Sequence, residues 1–550
     1  MGTTNVNLLW KDFKGIRKLN TINSEAVFGA DIAHGVRLSK EKSGQNRSIK
    51  SAGWFNEYTT VDEPVLRLFS ANISEYAQPD QLIAFTRGEN NINAWIITDN
   101  TEIANIVQIA SFPSFSDVTD VCMTQFGDHM AVVVAFDTTQ LGFITYSASA
   151  ITGWTPMGAT GFYYRLVPIT ETTTNTAVDK ISRVRPYRSR LAINGQTIYD
   201  QQHAETINGV WFSEAGNPTV FTSSYISSAT DTSAFFVETG EYVNQLEEYH
   251  GLTAFCRNRS YNITGTSQND IKVEPLTAKG VFGNATFTIN GKCAYVDSWS
   301  KNIFTLRDNI DGTIGFDQPI GDDIQDYLQD VDNVTVDVLG RRVRLLKSSG
   351  QSLVYDVDIG EWVEEKFTEN SRAVSFLNHE YFCDGTTTVY EITNNWGVGA
   401  QQTPNENGYY SHYRTNLMWL DSQSSVKSHL YPFAIVLEPQ TSNDFYIKFT
   451  TDRGRVFESR IVRAGFANVA TYSVDDNVPE NGSQFVSDDE DLSGRVFFAM
   501  QDTELLVTAE HPPFWRYLQI DIYTTSPNQQ FNISGIEAKN TVINNESLDY

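Results

Sequence analysis

Short apolar runs recur along most of this chain, and they come in pairs. Between about Asp80 and about Ile392 one motif repeats seven times: an apolar strand, a polar turn and a second apolar strand. The pairs are Leu82–Phe85 with Ala94–Ile97, Met130–Phe136 with Phe143–Tyr146, Leu191–Ile193 with Thr197–Tyr199, and Leu252–Cys256 with Ser260–Ile263. Three more follow: Cys293–Val296 with Asn302–Leu306, Val343–Leu346 with Leu353–Val357, and Tyr381–Cys383 with Thr388–Ile392. They start roughly 40–60 residues apart, the scale of one propeller blade. One hairpin is marginal in water, whereas hairpins stacked around an axis bury each other's faces. The pattern therefore predicts an all-β chain whose centre, residues 54–400, is a β-propeller of about seven blades. Asn194-Gly195, Asn290-Gly291, Ser349-Gly350 and Asp384-Gly385 supply turn chemistry between strands. The repeats are unequal and carry no signature like that of the WD repeat.

Outside the repeats the pattern changes. Residues 1–53 are polar with few alternating apolar positions, and predict an extended arm ending at Trp54 and Phe55 that lies on a partner. Residues 393–410 are Gly- and Asn-rich and predict a linker. Residues 401–550 alternate again at Phe433-Ile435-Leu437, Phe445-Ile447-Phe449, Leu505-Val507 and Leu518-Ile520-Ile522. They predict a C-terminal antiparallel β-sandwich. The one helical period is at Gly321–Val331, where Ile324, Tyr327, Leu328 and Val331 fall at i, i+3, i+4 and i+7.

Charge sharpens this division. The formal net charge is −27, which describes a soluble, self-repelling chain and not a general binder of nucleic acid or anionic membrane. Residues 1–50 invert the balance, with nine Lys/Arg against four Asp/Glu. Arg17, Lys18, Arg37, Lys40, Lys42 and Arg47 are thus candidate contacts to an acidic neighbour, or simply a solvated basic segment. Arg183, Arg185, Arg188 and Arg190 form a second cluster, which alternation is taken to place on one face of a strand. They are read either as inter-blade ion pairs or as contacts to a carboxylate-rich subunit or to DNA phosphates. Arg341, Arg342 and Arg344 bear the same two readings. Cys122, Cys256, Cys293 and Cys383 have no paired spacing and read as buried free thiols of a reducing compartment. Met1–Trp10 lacks the apolar core of a signal peptide, and no run approaches the roughly 20 residues of a membrane helix. The expectation is synthesis and folding in a cytoplasm, without stable membrane insertion.

Chemistry is hard to find. No phosphate loop and no nucleophile elbow occurs, and the eight histidines stand in no metal-ligand spacing. Carboxylates are numerous, but nothing selects a pair for glycoside hydrolysis. Asp488-Asp489-Glu490-Asp491 reads as a solvated loop, with calcium binding as the alternative. Thr450–Phe457 resembles the Asp box of sialidase-like propellers, with Val456 and Phe457 replacing its Thr and Trp. That box is a hairpin turn and is not catalytic. Trp95, Trp154, Trp211, Trp299 and Trp362 would form either blade cores or a glycan platform. The expectation is no enzyme, no cofactor and no metal.

Several segments are similar, in order, to the tail nozzle or tail hub (packaged-DNA stabilisation) proteins of short-tailed bacteriophages. They are Arg190–Ile193 with Val210–Phe221, Leu252–Cys256 with Ser260–Thr266, Tyr295–Asp297 with Ile303–Leu306, and the short helix at Asp322–Val331. Arg37–Trp54 resembles the basic stretch before that family's propeller, and Phe445–Phe457 with Arg516–Ile522 its terminal sandwich. The family's Ser-Thr and Ile-Glu pairs near the helix are absent here. The resemblance spans roughly residues 30–540. It implies a hexameric structural ring in the virion, below the portal and its adaptor protein. Such a ring continues the DNA channel, retains the packaged genome without binding it specifically, and supports fibres or other tail proteins. On that basis the basic arm faces the adaptor, and deleting residues 1–50 is expected to leave a folded protein that no longer joins a tail. A propeller-type receptor-binding adhesin and a glycoside hydrolase are the alternatives.

Overall fold

The structure is a computed structural model. It describes residues 3–10, 12–17, 29–40, 47–51, 54–71, 81–89, 91–98, 105–113, 120–126, 129–135, 140–146, 162–168, 178–179, 182–198, 206–218, 234–277, 279–289, 291–308, 314–316, 319–329, 334–347, 351–366, 372–393, 410–419, 427–429, 433–437, 442–451, 456–464, 472–473, 483–486, 495–500, 517–526 and 529–544. The chain divides into two compact units. One comprises residues 56–351 and 367–391; the other comprises residues 1–55, 352–366 and 392–550.

The first unit is a ring of antiparallel sheets, formed by strands consecutive in sequence except in the last blade. Blade 1 is Val65–Ala71, Gln81–Arg87, Asn91–Thr98 and Asn105–Pro113. Blade 2 is Asp120–Phe126, His129–Ala135, Gln140–Tyr146 and Phe162–Pro168. Blade 3 is Val184–Tyr187 (with Val178–Asp179), Arg190–Ile198, Thr206–Phe212 and Phe235–Thr239. Blade 4 is Val243–Glu248, Leu252–Cys256, Ser260–Thr264 and Lys272–Thr277; blade 5 is Val281–Ile289, Lys292–Asp297, Ile303–Asp308 and Ile314–Phe316. Blade 6 begins with Val334–Leu339 and Arg342–Lys347. The division between units falls inside this repeat, after Gln351. Blade 7 is Arg372–Phe376, His379–Cys383 and Thr388–Thr393, completed by Trp54–Thr60 from near the N-terminus.

The first strand of each blade lies beside the first strand of the next, and Arg372–Phe376 of blade 7 lies beside Val65–Ala71 of blade 1. The ring is therefore closed, and the fold is an all-β, seven-bladed propeller. Closure is covalently staggered, because the last sheet borrows a strand from the start of the chain. Val61 N and Val65 N donate to Thr387 O and Thr386 O at 2.9 and 2.8 Å, and the Tyr58 ring meets Tyr381 edge-on.

Apolar clusters sit between the blades. Ala192, Val210 and Phe212 of blade 3 pack with Leu246, Leu252 and Ala254 of blade 4. Phe255 meets Val281, Cys293 and Tyr295 of blade 5. Across the closure, Val65, Leu68, Leu82 and Ala84 pack with Phe376, Tyr381 and Cys383. A strand in the middle of a blade is covered on both faces, so its residues need not alternate. Leu82–Phe85 and Leu252–Cys256 are buried at every position. This is why the second strands of the blades stand out in the sequence.

The third repeat differs from its prediction. Arg190–Ile198 is one continuous strand, with Asn194 opposite Val210 and Gly195 opposite Gly209. Asn194 does not turn the chain because its side chain is a strut between blades 3 and 4. Its Oδ1 accepts from Ser182 N and Arg183 N, and its Nδ2 donates to Val243 O at 2.6 Å. Two other predicted turns hold: Gly291 and Gly385 have φ of 77° and 81°. The helix is shorter than its period, a 3-10 turn at Asp322–Ile324 followed by α-helix at Gln325–Leu328, with Ile324 and Leu328 buried.

The second unit holds two sheets. In one, Asn532–Asn544 is the central strand, paired with Thr3–Trp10, Arg47–Ser51, Lys427–His429 and Phe433–Leu437. Val36–Lys40 extends it on one side, and Arg495–Met500 with Ser483–Val486 on the other. The other sheet runs Glu361–Lys366, Ala30–His34, His412–Thr415, Tyr517–Tyr523, Ser442–Thr451, Val456–Ala464 and Tyr472–Ser473. Phe445 packs edge-on against Phe531, and Phe13 against Tyr413.

Residues 1–53 are therefore no extended arm, and the C-terminal residues do not form a sandwich by themselves. The N-terminal stretch supplies strands to both sheets, and Val36, Leu38 and Ile49 are buried in them. Its strands are short, so each shows too few apolar positions to announce itself. Apart from the local hairpin of Val36–Lys40 with Arg47–Ser51, their partners lie hundreds of residues away. Residues 452–455 of the Asp-box-like segment are outside the described residues; Thr450 pairs with Val456 and Phe449 with Phe457 as a hairpin.

Candidate functional site

The strongest sequence candidates are the arginines at 183–190, and the fold separates them. Arg185 lies on the first strand of blade 3, Arg188 in the following turn with φ of 54°, and Arg190 at the start of the second strand. They do not share one face, because the chain reverses between Tyr187 and Arg190. Arg185 crosses to blade 4, where its Nη2 donates to Glu247 Oε1 at 2.8 Å and its Nε to Leu246 O at 3.0 Å. Glu247 Oε1 also accepts from Thr286 of blade 5 at 2.7 Å. Three successive blades are thus joined through one carboxylate. Glu247 raises the Arg185 pKa, against the opposing effect of burial. Arg190 is 1% exposed. It donates to Ser213 O and to Thr266 O in blade 4, and its guanidinium lies over the Phe235 ring. It has no surface to offer a second subunit, which corrects its place among the candidate contacts. Arg183 donates from Nη1 to Ser182 O at 2.8 Å, and only Arg188 is exposed, lying over the Tyr187 ring.

The N-terminal basic residues are also drawn inward. Arg17 and Arg47 both donate to Glu361 Oε1, Arg17 at 3.1 Å, while Gly15 N donates to Glu361 Oε2 at 3.2 Å. Arg47 also meets Asp12 at 3.4 Å. The Glu361 side chain is 5% exposed, so this clamp holds the N-terminal segment through a buried, charge-assisted contact. Gly15 is required there, because a Cβ would lie 2.2 Å from Trp362 O. Arg37 stands opposite Lys50, and Lys40 opposite Arg47, in the hairpin of Val36–Lys40 with Arg47–Ser51. Lys18 and Lys42 lie outside the described residues. The basic segment is thus in part the internal counter-charge of Glu361. Sequence reasoning missed Glu361 because its partners are 314 and 344 residues away.

Other ion pairs follow the same rule. Arg344 and Asp337 form a buried pair in blade 6, and Asp337 accepts from Ala373 N in blade 7. Arg342 makes two hydrogen bonds to Glu380, at 2.9 and 2.8 Å. Glu63, in the turn before blade 1, accepts from Thr86 and Asn93 at 2.6 and 2.7 Å, and Trp95 Nε1 donates to Thr86. In the second unit Asp521 Oδ1 accepts from His412 and Arg414 at 2.7 and 2.6 Å. Burial pushes the Asp521 carboxyl up, but these hydrogen bonds outweigh it and leave the pKa lowered. The thiols are shielded: Cys256, Cys293 and Cys383 are free and buried. Burial pushes Cys256 and Cys383 up to about 12, so both stay protonated and poorly nucleophilic at neutral pH.

Among the described residues, no group of three or more His, Cys, Asp or Glu side chains is placed to hold a metal, and no helix is long and apolar enough to cross a membrane. Residues 488–491 are outside the described set. Of the five tryptophans singled out, Trp211 and Trp362 are core residues, while Trp299 is 72% exposed. Trp95 is partly buried, and the Trp154 side chain is not among the described ones.

Strand order thus defines the class: a closed, seven-bladed antiparallel propeller, with a second unit built from both ends of the chain. No family model and no curated protein matches the chain. Among solved structures it is similar to BBS1N in complex with ARL6DN, at 9% identity and a TM-score of 0.35, over 62% of this chain and 98% of that one. It is likewise similar to YCF48 bound to D1 peptide, at 8% identity and a TM-score of 0.36, over 66% and 100%. A third is the AfRom2 CNH domain, at 8% identity and a TM-score of 0.34, over 62% and 100%.

Proposed function

We propose that this chain is a non-enzymatic structural subunit of a short-tailed phage tail, a nozzle or hub that assembles as a hexameric ring below the portal and adaptor. The observation that supports the reading is a closed seven-bladed propeller joined to a second β unit, whose strands come from residues 1–55, 352–366 and 392–550. The resembled family likewise combines a propeller with a further sheet domain, although here that unit is not confined to the C-terminal residues. The disposition of charge supports it. The ionisable groups that come together among the described residues join blade to blade or strand to strand, as a scaffold requires. Six copies at −27 each would surround a channel that repels DNA and lets it slide, since each phosphate neutralised would add affinity. Adaptor, fibres and other tail proteins are the partners of this reading, and the virion tail is its location.

Light scattering of the purified full chain tests it, followed by negative-stain imaging with and without portal and adaptor proteins. The expected result is a six-fold ring with a central channel, alone or on the adaptor. A monomer or trimer that ignores both components would overturn the reading and favour a receptor-binding adhesin. The adhesin requires a cluster of solvent-facing aromatics at the blade ends, and of the tryptophans whose side chains are described only Trp299 faces solvent so fully.

A further inference from the structure

Trp299 is the most exposed large apolar side chain among the described residues, at 72%. It does not hang on a loose loop. It sits in the turn between the second and third strands of blade 5, and that turn is fixed from within. Asp297 Oδ2 accepts from Ser300 N and Ser300 Oγ at 2.9 and 2.7 Å, and Asp297 N donates to Asn302 O at 2.8 Å. Lys301 takes φ of 55° to close the turn.

The turn is also fastened to blade 4. Ser298 Oγ donates to Arg257 O at 2.6 Å, and Ser298 N to Gly280 O at 2.9 Å. Gly280 runs so close to Arg257 that a Cβ would lie 2.2 Å from its carbonyl oxygen. Arg257, Asn258 and Arg259 form the neighbouring turn, and all three are exposed. Glu241 pins that turn by accepting from Asn258 N and Nδ2 at 3.1 and 3.2 Å, with Arg259 4.0 Å away and its side chain 64% exposed. From the short helix, Gln325 Nε2 reaches Ser300 O at 3.1 Å and Asp322 Oδ1 accepts from Asn302 Nδ2 at 2.7 Å. The turn that carries Trp299 is thus tied through Ser298 to the turn bearing Arg257 and Arg259, and through Ser300 to the short helix.

We propose that this Trp299 turn, with Arg257 and Arg259, is a contact through which one copy of the chain holds a second copy. Trp299 seats on apolar surface of the neighbour, and the two arginines face its carboxylates. Trp and Arg are the residue types that dominate interface energetics, and an anchor already fixed in place loses little entropy on docking. Charge decides the occupant. With 67 Asp and Glu against 40 Lys and Arg, each further copy presents an acidic surface. The arginines at 17, 47, 185, 190, 342 and 344 are drawn inward by carboxylate or carbonyl partners, whereas Arg259, although 4.0 Å from Glu241, keeps its side chain 64% exposed. Contact between unlike surfaces is what closes a ring. The inference rests on the ring reading above.

The experiment compares the wild-type full chain with Trp299→Ser and with the double variant Arg257→Glu/Arg259→Glu, by light scattering over a range of concentrations. Thermal melts establish that each variant is folded. The expected result is a wild-type ring and, for both variants, a rise of at least about tenfold in the concentration needed for assembly. If the wild type forms a ring and the folded variants form it equally well, this contact is wrong and the ring reading stands. If the wild type stays monomeric at every concentration and with the adaptor, the ring reading fails and this contact with it.

Discussion

At the residue scale, single side chains join segments far apart in sequence. Glu361 accepts from Arg17, Arg47 and Gly15 N while nearly out of solvent. Removing one member of a buried ion pair leaves the rest uncompensated, so Glu361→Ala should cost about 3–5 kcal/mol, read by urea denaturation. Asp521 makes a pH prediction. Its folded pKa is lowered, so its stabilisation is complete above the ordinary carboxylate pKa of about 4 and is lost as pH falls through the folded value. Wild type should exceed Asp521→Asn in Tm at pH 7, and the gap should narrow as pH drops below about 4. A constant gap down to pH 2 would refute the assignment. The thiols give a third test. Cys256 and Cys383, held near 12 by burial, should resist a thiol reagent at pH 8 in the native chain and react fully in denaturant.

At the element scale, the legible strands were those covered on both faces. Leu82–Phe85 appears as an unbroken apolar run, and Leu252–Cys256 as one broken only by Thr253, because a blade on each side buries them. Strands at blade edges carry polar positions and short spans, and their existence was not evident. Asn194-Gly195 shows how the rule fails. As a dipeptide it favours a turn, but Asn194 instead fills hydrogen bonds between blades 3 and 4, and Gly195 faces Gly209 in a continuous strand. Asn194→Ala should strand the buried groups it serves and cost about 1–3 kcal/mol. Asn194→Asp should not restore the loss, because a carboxylate cannot donate to Val243 O.

At the scale of the whole molecule, both halves of the architecture depend on the N-terminal stretch. Residues 56–60 complete blade 7, and residues 3–51 supply strands to both sheets of the other unit. Deleting residues 1–50 should therefore destabilise the second unit, contrary to the sequence expectation of a free arm. Limited proteolysis and differential scanning calorimetry would show it as the loss or downward shift of one transition while the propeller persists. Deleting residues 1–60 should also open blade 7 and lower the remaining transition.

Alternation, apolar runs and turn residues by themselves determined an all-β chain with a propeller of about seven repeats, because these follow from which positions must leave water. That Cys256, Cys293 and Cys383 are free and buried was legible for the same reason, whereas Cys122, read with them, is only partly buried. The four arginines at 183–190 could be seen as a cluster, but their fate depended on a hairpin reversal and on Glu247, Ser213 and Thr266, which no local pattern marks. Closure of the ring by Trp54–Thr60, the clamp on Glu361 and the weaving of residues 1–53 into the C-terminal sheets were decided only by tertiary structure. Each joins segments separated by hundreds of residues, and pairing at that range leaves no period in the sequence.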